Sequence, residues 1–211
     1  MGRSHQVAQG DTMYTIADRF GISDWRTIRD HPDNAALQAK RPHPHVLEPG
    51  DVVAIPDAEP PRKVVLDGRS QFTRRGRDQQ ILSVTLLHPN FSPISDTEAT
   101  LSIDGSRRTL KTDARGVLQV EVPIDARRVT VVVRDDEWDL DIGHLNPLRE
   151  TRDDGRSGCA ARLQNLGYID RDASDDELAE AIRRFQLDHN VPRTGAIDGE
   201  TVRALTDRHG C

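Results

Sequence analysis

Aromatic residues are scarce in this chain, at 4% of its 211 positions, and it has no long apolar run. The first shortage argues against one thick core and for two or three small domains. The second excludes a membrane span: the strongest apolar stretch, around Val129–Val133, is far too short to cross a bilayer. The start, MGRSHQVAQG, has no apolar h-region, so ordinary signal-peptide export is not expected. Met1-Gly2 has the look of a myristoylation start, but Gln6 stands where Ser or Thr is needed. Positive charge is never concentrated into a Lys/Arg stripe, and the net charge is −6, so no nucleic-acid partner is expected and the acidic balance serves solubility.

Cysteine is nearly absent too. The two present, Cys159 and Cys211, flank the last segment. Either they are two free thiols without a role, or in an oxidising compartment they close that segment as a disulfide, worth about 4 kcal/mol for such a loop.

Two breaks in composition divide what remains. PDAEPPRK, Pro56 to Lys63, is a proline-rich extended linker, and RETRDDGRSG, Arg149 to Gly158, is charged, glycine-bearing and almost without residues to bury. The expected units are 1–57, a linker at 58–63, 64–148, a second linker at 149–157, and 158–211.

In the first unit, Ser4–Val7 reads as a strand, Gly10 as a turn, and Asp11 or Thr12 as the N-cap of a helix carrying Met13, Ile16, Ala17 and Phe20. Gly21 ends it. Ser23 opens a second helix that buries Trp25 and Ile28 and runs into His31-Pro32, with a further turn at Asn34–Leu37. LEPGD, Leu47 to Asp51, is a tight turn before a closing strand of Val52, Val53 and Ile55. The order is β-α-α-β.

The middle unit differs in kind. ILSVTLL (Ile81–Leu87), ATLSID (Ala99–Asp104), GVLQVEV (Gly116–Val122) and RVTVVV (Arg128–Val133) alternate or are β-branched, with IDGS and TDARG as turns between them. Short strands at this spacing predict an antiparallel β-sandwich of the immunoglobulin-like kind. The last unit returns to helical spacing: Cys159, Leu163 and Leu166 on one face before Gly167, then a Ser174–Glu177 capping box opening a helix with Leu178, Ile182 and Phe185 inside, then a third helix capped by Asp198. The fold class is thus multidomain α+β, ending in a three-helix bundle.

VAQGDTMYTIADRFGIS and LEPGDVVAIP, in that β-α-α-β order, resemble a LysM module, the widespread binder of N-acetylglucosamine-containing glycans. The resemblance implies a ligand groove between the loop after the first strand (Gly10, Asp11, Thr12, Met13) and the loop before the second (Leu47, Glu48, Pro49). An N-acetyl group suits backbone donors and acceptors in a shallow groove that Gly10 lets it approach. His31 to Asp51 is several residues longer than the family's usual connection, a length expected to reshape or cover the groove. A fold kept for docking, with no sugar bound, is the competing reading.

ARLQNLGYI, Ala161 to Ile169, followed by AIRRFQLDHNVPRTGAIDGETVRAL, Ala181 to Leu205, resembles the helical peptidoglycan-binding domain of wall hydrolases. Most matching positions are core. The polar ones, Gln164, Tyr168, Gln186 and Arg193, are candidate contacts for a glycan or stem peptide. Two wall modules around a sandwich, with IRDHPDNAALQAKRPHPHVLEPGD (Ile28–Asp51) and DLDIGHLNPL (Asp139–Leu148), resemble accessory proteins of type VI secretion and related phage-tail-like injection machines.

Catalytic constellations are missing. His31, His43 and His45 with Asp30 and Asp33 are the nearest thing to a zinc shell, but the RPHPH spacing fits an exposed loop as well, and no metal or other cofactor is expected. His144 and His189 sit alone, the latter in a solvated or cationic position at a helix end. Asp135-Asp136-Glu137 reads as a solvated turn, because adjacent residues of a strand end point to different faces. Trp25 and Trp138 are read as core residues. The expectation is therefore a noncatalytic peptidoglycan-binding protein that holds an injection machine or its cargo against the wall, reaching it through that machine. Its partners would be peptidoglycan and a secretion spike protein or effector. The rival is a docking or loading adaptor in which sugar binding is lost; a weaker one is a wall-hydrolase subunit whose catalytic domain lies on another chain.

Overall fold

In the computed structural model, residues 3–57 and 79–210 are described. The expected linker at 58–63, the first residues of the expected middle unit and Cys211 lie outside them. The described chain is a mixed α+β protein whose sheets are all antiparallel and most of whose buried apolar residues fall into three clusters.

The first cluster lies between a two-stranded sheet and short helices. Strands β1 (Arg3–Gln6) and β2 (Val52–Ile55) pair with Arg3 opposite Ile55 and Gln6 opposite Val52. Helix α1 (Met13–Arg19) starts where the Thr12 hydroxyl accepts the Thr15 N–H and Thr15 returns the bond, a reciprocal capping box. Met13, Ile16 and Ala17 then face Val7, Ile28, Leu37, Leu47, Val53 and Ile55. Helix α2 (Arg26–Arg29) is shorter than the sequence predicts. The Asp24 carboxylate accepts the Arg26 N–H at 3.0 Å, so a local turn takes up the backbone before the helix begins. The turn expected at Asn34–Leu37 is instead a 3-10 turn, Pro32–Asn34, running into α3 (Ala35–Lys40).

The middle residues form β3 (Gln79–Thr85), β4 (Glu98–Ile103), β5 (Ser106–Lys111), β6 (Val117–Pro123), β7 (Arg128–Val133) and β8 (Asp136–Asp141). A β3-β6 pair and a four-stranded sheet ordered β5-β4-β7-β8 share one core of Leu101, Leu118, Val122, Val129, Val131 and their neighbours. The four apolar runs are all strands. Strands β5 and β8 are additions to the sequence reading: SRRTLK and DEWDLD carry charge on a mostly exposed face and lack the alternation that marks their partners. Asp136 and Glu137 thus begin a strand, although their side chains are exposed as a solvated turn would leave them. β4 and β5 are joined through Asp104-Gly105, both with positive φ, as a two-residue hairpin of matching twist requires.

The last three helices, α4 (Arg156–Asn165), α5 (Asp175–Asp188) and α6 (Gly199–His209), close on Cys159, Leu163, Leu178, Ile182, Phe185 and Leu205. Their ends follow the sequence. Gly167 donates to Gln164 O and Tyr168 N–H to Leu163 O, a Schellman close; Ser174 and Glu177 form the capping box; Asp198 caps Thr201. Cys159 is a free, buried thiol that burial pushes up to about 12.

The segment read as a second linker is not a passive tether. Leu148, Gly155 and Gly158 are buried, and the buried Arg162 guanidinium donates to Asn146 O and Gly158 O, both at 2.8 Å. Its neighbour on α4, Asn165, fastens the helix to β8 through the Asp141 backbone.

Candidate functional site

The two loops that bracket the candidate groove are built by one device used twice. In Ala8-Gln9-Gly10-Asp11, Asp11 N–H donates to Ala8 O at 3.0 Å; in Glu48-Pro49-Gly50-Asp51, Asp51 N–H donates to Glu48 O at the same distance. Each turn has glycine third with positive φ, +87° at Gly10 and +100° at Gly50, the position where a type II turn excludes a side chain. Each aspartate then returns a carboxylate oxygen to the first residue's N–H, Ala8 at 2.9 Å and Glu48 at 3.0 Å. Each carboxylate is also held by further side chains: Asp11 by the Arg19 guanidinium at 3.0 Å and the His5 ring at 2.7 Å, Asp51 by Arg41 at 2.8 Å and Lys40 at 3.1 Å. Burial acts to raise both carboxyls, but these hydrogen bonds and cations outweigh it and hold both below the usual range. The two turns stand side by side, tied by Val7 N–H to Asp51 O and Gly50 N–H to Val7 O.

The candidate groove residues divide accordingly. Asp11 and Thr12 point inward as brace and cap, and Met13 and Leu47 belong to the core. That leaves the backbone of Gly10, Glu48 and Pro49 as the surface a ligand would meet. Gly10 and Glu48 both lie beside other parts of the chain. The Arg127 guanidinium sits where a Gly10 side chain would be and donates to Gly10 O at 3.3 Å. The Arg152 guanidinium covers Gly50, and the Arg152 backbone N–H donates to Glu48 Oε1 at 3.4 Å. Gln9 donates to Asn146 at 3.2 Å. Glu48 Oε2 is buried without a hydrogen-bond partner.

The long connection lies over the start of α1, where Pro44 O accepts the Met13 N–H at 3.3 Å. His45 stacks on Tyr14 with ring centroids 4.7 Å apart, and Trp25 meets both rings edge-on or tilted, half-buried against the first core. Burial, with His43 and Arg29 behind it, pulls His45 down to about 4, so this ring is neutral. Among the described residues no group of three His, Cys, Asp or Glu side chains converges as a metal shell would.

At the other end the four polar candidates are not brought together. Gln186 is fully buried: its amide donates to Thr194, Ala196 O and Thr201 and accepts from Gly195 N–H, which fixes the loop before α6. Gln164 donates to Asp139 O at 3.1 Å and lines a cleft of about 310 Å³ with Ile169, Ala173 and Leu178. The Tyr168 ring packs on Phe185 and its hydroxyl donates to Asp188 at 3.0 Å. Arg193 is exposed. His189 is half-buried: it packs on Phe185 with centroids 4.4 Å apart, and burial first, then Arg208, lowers its pKa, which works against a cationic role.

Where the three clusters meet there is a polar cavity of about 530 Å³ lined by Gln9, Arg127, His144, Asn146, Ser157 and Arg171, among others. The sequence signal for the twin turns was the repeated Gly-Asp of QGD and PGD, ahead of α1 and β2 respectively. Nothing in the sequence marks Arg127 or Arg152 as their covers.

Comparison with known proteins adds to this geometry. Residues 5–26 match the LysM domain family, and residues 160–205 match the family described as "Putative peptidoglycan binding domain". No curated protein and no solved structure matches the chain. No helix among the described residues is long and apolar enough to cross a membrane. The chain thus carries, near its two ends, segments similar to a LysM domain and to a peptidoglycan-binding domain, and both matches support peptidoglycan binding.

Proposed function

We propose that the chain is a noncatalytic peptidoglycan-binding protein that anchors or targets a secretion or injection apparatus, or its cargo, to the bacterial cell wall. The observation that carries this reading is the pairing of two wall-module matches in one chain, at 5–26 and 160–205. The units are 1–57, 64–148 and 158–211, with an immunoglobulin-like sandwich as the spacer and a three-helix bundle last. Two weak contacts with one polymer, joined by a structured spacer, act as one useful anchor because the second binds at high effective concentration. The protein reaches the wall through the machine it serves. The test is co-sedimentation of the full chain with purified sacculi, with soluble glycan fragments as competitor and turbidity of the suspension followed alongside. Competed retention without loss of turbidity is the expected result; clearing of the suspension overturns the noncatalytic part, and absence from the pellet overturns the anchor.

A second reading has its own support. The contacts of Arg127, Arg152 and Pro44 around the two turns favour an adaptor of a type VI secretion spike, in which the LysM-like unit docks protein and contributes little glycan binding. Under that reading, retention on sacculi is absent or belongs to residues 158–211 alone.

A further inference from the structure

The three contacts over the twin turns are long, and two of them are exposed: Gln9 to Asn146 at 3.2 Å and the Arg152 backbone N–H to Glu48 at 3.4 Å, with Arg127 to Gly10 O, half-buried, at 3.3 Å. Hydrogen bonds of this length are weak, and the arginines that make two of them are themselves exposed. The contact is also imperfect, since it leaves Glu48 Oε2 buried and unpartnered, an atom that water would satisfy if the surfaces parted.

A few residues away the same two parts of the chain are joined far more firmly. The Arg41 guanidinium is 4% exposed and donates to Arg149 O at 3.0 Å and Glu150 O at 2.9 Å while Asp51 neutralises it. A buried, fully paired cation holds on one side, and thin contacts made by exposed arginines close the other. That is the construction of a hinge and a latch.

We propose that Arg127 and Arg152 are an intramolecular latch over the Gly10 and Gly50 turns, so that the closed chain withholds the backbone of these turns from glycan and the open chain, pivoting at Arg41, presents it. The proposal rests on reading residues 3–55 as a glycan-binding unit. Each glycine face accepts either a guanidinium or a sugar N-acetyl group, since the space a side chain would fill admits only one of them. Glycan and latch therefore compete. The apparent affinity of the turns is reduced by the fraction of chains that are closed.

The experiment uses the full chain and three variants: Arg127→Ala/Arg152→Ala, the single Arg152→Ala, and Arg203→Ala on the exposed face of α6 as a control. Two readouts are taken. Hydrogen exchange over 8–12, 47–51 and 149–155 reports opening, and retention on sacculi with and without N-acetylglucosamine tetramer reports binding. The double variant is expected to exchange faster in these segments and to bind about tenfold tighter, as release of a mostly closed state predicts, with the gain removed by the tetramer. The single variant falls between, and Arg203→Ala matches wild type. Faster exchange without tighter binding overturns the latch, because the turns are then open and still idle. Unchanged exchange and unchanged retention overturn it too, yet leave wall binding standing if the wild type pellets. If neither the wild type nor the double variant pellets, the latch and the glycan-binding reading fall together.

Discussion

Asn165 binds Asp141 as a neighbouring strand would, its carboxamide oxygen accepting the Asp141 N–H and its amide nitrogen donating to the Asp141 carbonyl, both at 2.8 Å. β8 is the outer strand of its sheet, and one side chain from α4 satisfies both free groups of one of its residues. Asn34 does the same for β2, bonding Ala54 N–H and O at 2.8 Å.

These two amides are expected to be costly to remove. Asn34→Ala strands the buried Ile28 carbonyl and the half-buried Ala54 backbone groups and should lower stability by about 2–3 kcal/mol, read as a shift of the urea midpoint. Asn165→Ala should cost less in midpoint, about 1–2 kcal/mol, but should loosen α4 from β8, seen as faster exchange at Asp141. Unchanged exchange there would mean that the helix is held by something other than its amide.

Acid should weaken the fold in two separate steps. Histidine ordinarily titrates near 6.5; burial first, then His43 and Arg29 for His45 and Arg162 for His209, pulls both down to about 4. Between those values the unfolded chain binds more protons than the folded one, so stability falls as pH drops from 6.5 towards 4. Asn165 shares the effect, because its amide also donates to His209 Nε2 at 3.0 Å and protonation would remove that acceptor. His209→Gln should flatten this limb of a stability–pH curve measured by urea titration.

The second step includes Asp51. Its carboxyl is held below the ordinary 3.8, so its contribution is full above that value and is lost as pH falls through the lower folded one. Asp51→Asn should shrink the step, and Asp11, lowered in the same way, should carry part of what is left. At neutral pH it should destabilise by about 3–5 kcal/mol, because Arg41 is left buried with its carbonyls alone. A midpoint unchanged at pH 7 would refute the role assigned to this pair.

In the last unit, stability and binding should separate. Gln186→Ala should cost about 2–4 kcal/mol by releasing the loop before α6, since four hydrogen bonds end on one buried amide. Arg193→Ala is expected to leave the midpoint within about 0.5 kcal/mol of wild type and, if the exposed guanidinium meets the wall polymer, to reduce sacculus retention. Loss of retention in Gln186→Ala at a temperature where it stays folded would instead return that residue to the ligand surface.

How far the sequence could be read depended on where each residue finds its partner. Thr12, Gly167, Ser174 and Asp198 act on neighbours within a few positions, so their caps and turns were legible one segment at a time. Alternating strands declared themselves, whereas Arg107, Arg108 and the acids of β8 face solvent and obey no period that burial imposes. The parts that the candidate groove residues play depend on partners that the local sequence does not show. Asp11 looks like an exposed loop acid until its i−3 bond to Ala8 and its partners His5 and Arg19 are in place. Arg127 and Arg152 act across more than a hundred residues, and no local pattern distinguishes them from the other arginines of an arginine-rich surface.

Arg41 also decides how the molecule takes mechanical load. Its bonds to Arg149 O and Glu150 O tie the first unit to the segment that leads into the last, parallel to the covalent path through the sandwich. A pull applied between the two end units is therefore met first by this strap, whose buried guanidinium must be dragged from two carbonyls and a carboxylate together. The hairpins of the middle unit are shielded from unzipping until the strap gives way.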